Sequence, residues 1–307
     1  LQRTGQLGTY ASSLGQEAVS TGLAAAMADD DILLPSFREH GAQLWRGVTM
    51  EELLLYWGGD ERGSDFAAQR LDFPISVTVG GHAPHATGLA MAMQIRGEAS
   101  AVVCVIGDGA TSKGDVYEAM NFAGVRGAPV VFVINNNQWA ISTPLHGQTA
   151  AQTLAQKAIA AGIEGEQVDG NDVFAVRDRV HAALERARAG TGPSVVEALT
   201  YRLADHTTAD DASRYRDDAE TAERWKLEPV MRLRRYMEAN DLWDSDREQG
   251  LLQECEEEVK RAVTAYLEIE PQPPESMFDF LYASLPADLA SQRDSLAGRS
   301  EGRSPDE

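Results

Sequence analysis

Two cysteines among 307 residues are too few for a disulfide framework. Cys104 lies inside an apolar run and Cys255 in the charged stretch QECEEEVKR, with no zinc-ligand spacing around either. Both read as structural residues of a chain kept in a reducing, cytoplasmic compartment. Basic residues are also scarce: 27 stand against 48 acidic ones, for a net charge of −21. That balance argues against a nucleic-acid surface and against anionic membranes, both of which call for basic patches. No segment reaches the roughly 18 unbroken apolar residues of a membrane span, and the first residues carry no signal-peptide pattern. No G-x-G-x-x-G follows an early strand with an acidic residue about 20 positions later, which disfavours a dinucleotide-binding oxidoreductase. Internal repeats are missing as well.

What is present is an alternation of helix and strand patterns. Helices are expected over 16–28, 50–57, 80–95, 115–125, 152–161 and 173–189, with strands at 32–35, 101–106, 130–134, 167–168 and 194–199. The runs 101–106 and 130–134 are apolar throughout, as strands buried on both faces of a parallel sheet are. The helix over 80–95 is almost entirely small and apolar, which predicts deep packing. Residues 58–76 form a long polar loop of the kind that is usually functional. Past Tyr201 the texture changes to a polar, turn-rich stretch (205–220), helices near 221–239 and 246–268, and a proline-rich break at 270–275. The pattern defines an α/β fold: a doubly wound parallel sheet flanked by helices, with a helical C-terminal extension. The expected organisation is an α/β domain over 1–215, the extension over 216–285 packed on it, and a flexible tail over 286–307.

The first long apolar strand ends in Gly107-Asp108-Gly109, and the second in Asn135-Asn136-Asn137. An aspartate and an amide thus sit at the carboxyl ends of two parallel strands, where open α/β sheets place ligands. One carboxylate with amide and main-chain oxygens is a hard, oxygen-only donor set, suited to Mg²⁺ that also holds phosphate and poorly suited to zinc. Taken singly, Gly-Asp-Gly is a common tight turn and an asparagine run is ordinary strand-end chemistry.

Together, at this spacing, they resemble the thiamine diphosphate signature GDG…NN. The stretch GDGATSKGDVYEAMNFAGVRGAPVVFVINNNQWAIS resembles the alpha subunits of the heterotetrameric 2-oxoacid dehydrogenases, the pyruvate and branched-chain enzymes, and the likeness runs from about Thr9 to about Pro286. By that resemblance the chain begins in mid-motif, and a segment upstream of Leu1 is expected.

The resemblance implies thiamine diphosphate and Mg²⁺ as cofactors and assigns roles residue by residue. Asp108 and the amide of Asn137 would hold the cation, with the main-chain carbonyl of Trp139; the triple asparagine leaves Asn136 as an alternative to Asn137. Gly107, Gly109, Ala110 and Asn135 would line the diphosphate end. Ser36-Phe37-Arg38 resembles a Tyr-Arg pair that reaches the diphosphate; Phe37 lacks the hydroxyl, while Arg38 keeps the forked cation. Read alone, Arg38 before Glu39 is a surface ion pair. Val77 and Val79 would bond the aminopyrimidine ring through their main chain, and Ile141 would be the apolar wedge that bends the cofactor. His206, in YRLADHTT beside Asp210-Asp211, would be the active-site histidine, its near-neutral pKa suiting proton management. A histidine in a polar loop is otherwise merely solvated. His82, in GGHAPHATG, is a second catalytic candidate near the substrate, and Thr207 stands where mitochondrial relatives carry a regulatory phosphoserine.

The implied reaction is oxidative decarboxylation of a 2-oxo acid with acyl transfer to the lipoyl groups of an acyltransferase core. The family divides the site: the alpha chain holds diphosphate and metal, and a beta chain supplies the activating glutamate in an α₂β₂ heterotetramer. Pyruvate is the expected substrate, with a branched-chain 2-oxoacid dehydrogenase or an acetoin dehydrogenase as alternatives. A transketolase would need both cofactor-binding halves in one chain, and 307 residues are too few. A catalytically silent assembly subunit is the non-enzymatic alternative, disfavoured by the joint presence of Asp108, Asn137, Arg38 and His206.

Overall fold

The apolar runs form interior strands of a five-stranded parallel sheet. In this computed structural model, which describes residues 1–297, the strands are β1 (Ile32–Leu34), β2 (Val102–Gly107), β3 (Val130–Asn136), the short antiparallel pair β4 (Trp139–Ala140) and β5 (Thr143–Pro144), then β6 (Glu164–Asp169) and β7 (Ser194–Leu199). The main sheet runs β1-β2-β3-β7-β6, every neighbouring pair parallel. The helices are α1 (Glu17–Ala26), α2 (His40–Trp45), α3 (Met50–Gly58), α4 (Ala83–Arg96), α5 (Gly114–Arg126), α6 (Lys157–Ala160), α7 (Val173–Arg188), α8 (Asp218–Trp225), α9 (Pro229–Ala239), α10 (Ser245–Leu267) and α11 (Ala287–Ala297).

Alternate strand residues feed two separate cores. Val102, Cys104, Ile106, Phe132 and Ile134 pack with Ala86, Ala90, Val116 and Met120 of α4 and α5. Val103, Val105, Val131 and Val133 pack with Val19 and Leu23 of α1 and with Val176, Val180 and Leu184 of α7. Both faces are covered, which is why no polar residue interrupts these strands before their carboxyl ends. The doubly wound sheet is the one expected, and a helical C-terminal region follows it. Tyr266 of α10 donates from its hydroxyl to the Gln6 carbonyl at 2.8 Å, and α10 lies against α3.

The β1 edge of the sheet is protected. Beside β1, Phe73 N–H donates to the Leu33 carbonyl at 2.9 Å, and the Leu33 N–H donates to the Asp72 carboxylate at 2.8 Å. Asp72 is in turn gripped by Arg46, at 2.6 and 2.9 Å, with both side chains buried. The long polar loop thereby occupies the hydrogen-bonding edge that would otherwise template another chain.

Several elements differ from expectation for local reasons. α2 had no amphipathic signature of its own. The helix expected over 152–161 is a 3₁₀ turn followed by the single turn of α6. The helix expected over 221–239 divides into α8 and α9, because Pro229 can open a helix but not continue one, and Glu228 caps the new start by accepting from Val230 and Met231 N–H. β6 is longer than its two-residue apolar signal, since an edge strand can be polar on both faces. α4 is packed on one face only: Ala83, Ala86, Ala90 and Met93 are buried, whereas Ile95 is 79% exposed. Past residue 286 the expected flexible tail begins instead with α11, where Arg293 pairs with Asp279 at 3.0 Å. The rest of that tail, 298–307, lies outside the described residues. Among those residues no helix is long and apolar enough to cross a membrane.

Candidate active site

The carboxyl ends of β1, β2 and β3 open onto one cavity of about 200 Å³. Phe37, Arg38, Val79, Gly107, Asp108, Gly109, Ala110, Asn135, Asn137, Trp139, Ile141 and His206 all line it. Residues separated by up to 169 positions therefore meet at one sheet edge, as ligand sites in open α/β proteins do. Two expected members are not brought there. Val77 is outside the lining, with a side chain 56% exposed, although its expected contact is through the main-chain carbonyl. His82 is buried against the sheet, its Nε2 2.7 Å from the Val105 carbonyl. It precedes α4 without a side-chain cap bond to it, and this geometry keeps the ring in the core, outside the cavity lining.

Asp108 is almost wholly buried, and burial raises its carboxyl above the usual carboxylate range. One oxygen accepts from the Gln148 amide at 3.0 Å. A buried carboxylate held up in this way gains from any cation placed against it. Asn137 faces the same space. Its Oδ1 accepts from the Trp139 N–H at 3.2 Å, and its Nδ2 donates to Gln16 Oε1 at 2.8 Å. Asn136 turns the other way, its amide bonded to Glu197 at 2.7 Å and to Gln138. The triple asparagine thus separates by direction: alternate residues of the strand end leave on opposite faces. The Trp139 ring packs among Tyr201, Leu203 and Tyr215, as expected of a side chain whose contribution is apolar.

Gly107 and Gly109 differ in what they permit. A Cβ at Gly107 would meet nothing within 4 Å, so the strand ends on open space. A Cβ at Gly109 would lie 2.7 Å from Ala140 Cβ. Gly109 is therefore required by its neighbour across the cavity wall.

Arg38 is buried, with its guanidinium donating to the Ser12 carbonyl at 2.7 Å, the His206 carbonyl at 2.7 Å and His206 Nδ1 at 3.0 Å. Burial lowers its pKa to about 10, and the neighbouring charge of Arg202 acts in the same direction. Because Arg38 can only donate, His206 Nδ1 must accept, so the neutral ring carries its proton on Nε2. Burial first, then Arg38 and Arg202, bring the His206 pKa down to about 4. This corrects the near-neutral value expected from the loop's composition: two guanidinium groups stand beside the ring. The loop is also fastened more firmly than its polarity suggested. His206 N–H donates to Asp210 at 2.8 Å, and Tyr10 and Thr208 exchange hydrogen bonds at 3.0 and 3.1 Å.

Ile141 has φ +55°, a left-handed conformation that a β-branched residue adopts only at a cost. Its side chain is 56% exposed beside the cavity, and its carbonyl accepts from Arg202 at 2.8 Å. Arg202 has no exposed surface at all and also donates to the Tyr215 hydroxyl at 2.8 Å. Arg202, Tyr215, Gln16, Gln148 and Glu39 were not singled out from sequence. Arg202 and Tyr215 flank the His206 segment and could have been suspected from it. Glu39 adjoins Arg38 and could have been suspected from it, whereas Gln16 and Gln148 carried no signal, because only tertiary packing brings Gln16 to the cavity and Gln148 onto Asp108.

The wall offers the carboxylates of Asp108 and Glu39, the side-chain amides of Asn135 and Asn137, and the guanidinium of Arg38. Among the described residues no group of three or more His, Cys, Asp and Glu could hold a metal. The wall therefore fits a hard cation that shares its ligands with an anionic guest, and it leaves two buried amide atoms, Gln16 Nε2 and Asn135 Oδ1, without protein partners. A parallel α/β protein with this wall is of the class that holds a phosphorylated cofactor at the strand ends.

Comparison with known proteins gives the same class. Residues 1–275 match the family model described as "Dehydrogenase E1 component". The chain is 41% identical over 293 residues to the pyruvate dehydrogenase E1 component subunit alpha of Staphylococcus epidermidis, covering 95% of this chain and 79% of that protein. It is 40% identical over the same length to the protein of that name from Staphylococcus aureus. The chain belongs to the dehydrogenase E1 component family, and with it to the oxidoreductases that act on 2-oxo acids.

Proposed function

We propose that this chain is the alpha subunit of a pyruvate dehydrogenase that binds thiamine diphosphate and Mg²⁺ in the cavity at the strand ends. The observation that carries the reading is the convergence of Asp108, Asn137, Arg38 and His206, from four separate loops, on one cavity. When bound, thiamine diphosphate supplies the electron sink that a 2-oxo acid needs to lose CO₂. Asp108, Asn137 and the main chain at Trp139 would hold the Mg²⁺ that neutralises the diphosphate, and Arg38 would meet its oxygens with a buried, forked cation. His206, neutral and protonated at Nε2, would serve as a hydrogen-bond donor to an oxygen that gains charge during the reaction. Its Nδ1 bond to Arg38 fixes the ring orientation that this requires. Ile141, anchored by Arg202, would press on the cofactor from one side, and Val79 would face it from the strand-to-helix turn.

The partner is a beta chain completing the site, with lipoyl groups of an acyltransferase core as acyl acceptor. The test is 2-oxoacid-dependent reduction of an artificial electron acceptor by the purified alpha and beta chains, comparing pyruvate with 3-methyl-2-oxobutanoate. Faster turnover of pyruvate is expected, and preference for the branched acid would move the chain to the branched-chain enzymes. The alpha chain alone, saturated with cofactor and free of beta, should not decarboxylate either acid. Robust turnover by it would end the shared-site reading.

A further inference from the structure

His40 is the first residue of α2, lies outside the cavity lining, and is 6% exposed. It is bonded on both ring nitrogens. The Trp57 indole N–H donates to Nε2 at 3.1 Å, and since an indole can only donate, Nε2 carries the lone pair and the neutral ring is protonated at Nδ1. Nδ1 lies 3.2 Å from Ser13 Oγ and 3.3 Å from the Tyr10 hydroxyl. Ser13 uses its own proton on the Arg38 carbonyl, at 2.7 Å, so it accepts from His40. The result is a one-way relay, Trp57 to His40 to Ser13 to the Arg38 main chain, in which each bond polarises the next. The Tyr10 ring stacks on the imidazole with centroids 5.1 Å apart, and the Tyr10 main chain donates to the Thr208 hydroxyl and accepts from the Thr208 N–H in the His206 loop.

The geometry assigns His40 as a positioning residue: through Ser13 it fixes Arg38, and through Tyr10 the His206 loop, in the arrangement that places both beside Asp108. This rests on the cofactor reading above, because Arg38 and His206 matter as a pair only if an anionic guest binds between them. It is separate from that reading, since His40 touches neither guest nor metal.

The two ring nitrogens can be tested one at a time. His40→Asn keeps a donor near the Nδ1 position for Ser13 and loses the acceptor for Trp57. His40→Gln reaches the Nε2 position and loses the donor to Ser13. Each variant gives up one buried hydrogen bond, so a purely structural histidine predicts equal effects. Binding of thiamine diphosphate and of unphosphorylated thiamine to the alpha–beta complex, with Mg²⁺ present, is measured by calorimetry. His40→Gln should weaken thiamine diphosphate about tenfold and thiamine less than about twofold, while His40→Asn stays within about threefold of wild type for both. Ser13→Ala should reproduce His40→Gln, and it carries the test if a histidine variant fails to fold. Equal losses in the two histidine variants, or equal losses for both ligands, would overturn the assignment. Asp108→Ala serves as the reference: if it binds thiamine diphosphate like wild type the cofactor reading itself fails, and if it alone loses binding only the role of His40 does.

Discussion

Asn137 and Gln16 meet amide to amide at 2.8 Å, across 121 residues of sequence, and the Trp139 N–H on Asn137 Oδ1 decides which way both amides point. A main-chain N–H can only donate, so Asn137 must present Nδ2 to Gln16. Gln16 is 1% exposed and holds the proposed metal ligand from behind. Gln16→Met keeps the volume and removes the acceptor. The Mg²⁺ concentration that half-saturates cofactor binding should rise by about 10- to 100-fold, the usual effect of losing such an outer partner. An unchanged Mg²⁺ requirement in a titration would show that Asn137 needs no such support.

Asp108 is the only carboxylate in the proposed donor set. Asp108→Ala is expected to abolish Mg²⁺-dependent binding of thiamine diphosphate, read by calorimetry. Its fold should survive, with a melting temperature equal to or above that of wild type. A buried carboxyl whose charged form is disfavoured costs stability in the unliganded protein, so its removal relieves a cost. A variant that binds cofactor normally contradicts the site, and one that unfolds contradicts the energetics.

His40 is held at about 4 by burial and then by the charge of Arg38, and His206 at about 4 by burial and then by Arg38 and Arg202. In the unfolded chain both would protonate near pH 6.5. As pH falls from about 6.5 toward about 4 the unfolded state takes up protons that the folded state refuses, and stability present at neutrality is lost. Glu17, raised to about 7 by burial, acts in the opposite direction. The informative quantity is therefore a difference. The melting-temperature gap between wild type and His40→Asn should narrow between about pH 7 and about pH 5. A gap that stays constant would mean that the ring titrates in the fold as it does in the unfolded chain.

The Arg46–Asp72 pair is sealed from solvent on both sides, with 4% of each side chain exposed. Asp72→Ala strands a buried guanidinium and also frees the Leu33 N–H, so denaturant melts should show a loss of about 3–5 kcal/mol. Replacing both residues by apolar ones of similar volume should recover most of it. If the single and double variants are equally unstable, the bonds made by the pair, and not the stranded charge, hold the edge of β1.

The sheet was legible because its interior strands have only one way to be apolar on both faces, and because Asp108 and Asn137 stand at their ends. Arg38 and His206 were legible as parts of segments, although the acidic, polar context of His206 concealed the two arginines that set its charge. Gln16, Gln148 and His40 were not legible. Each acts through a partner between 17 and 121 positions away, and no local pattern marks a side chain whose role is to hold another. His82 is the converse case: its glycine-rich turn looks like a ligand loop, and the ring lies outside the cavity lining with Nε2 on the Val105 carbonyl.

The left-handed backbone at Ile141 sets evolution of this chain against its engineers. A glycine there would relax the main chain and raise the melting temperature, so selection for heat resistance alone should find it early. The same change would strip the cavity of a side chain that only a strained residue can present at that spot. A thermostable descendant carrying glycine at this position would be a better-folded protein with a slacker grip on its guest, and the isoleucine is best read as stability forgone in exchange for shape.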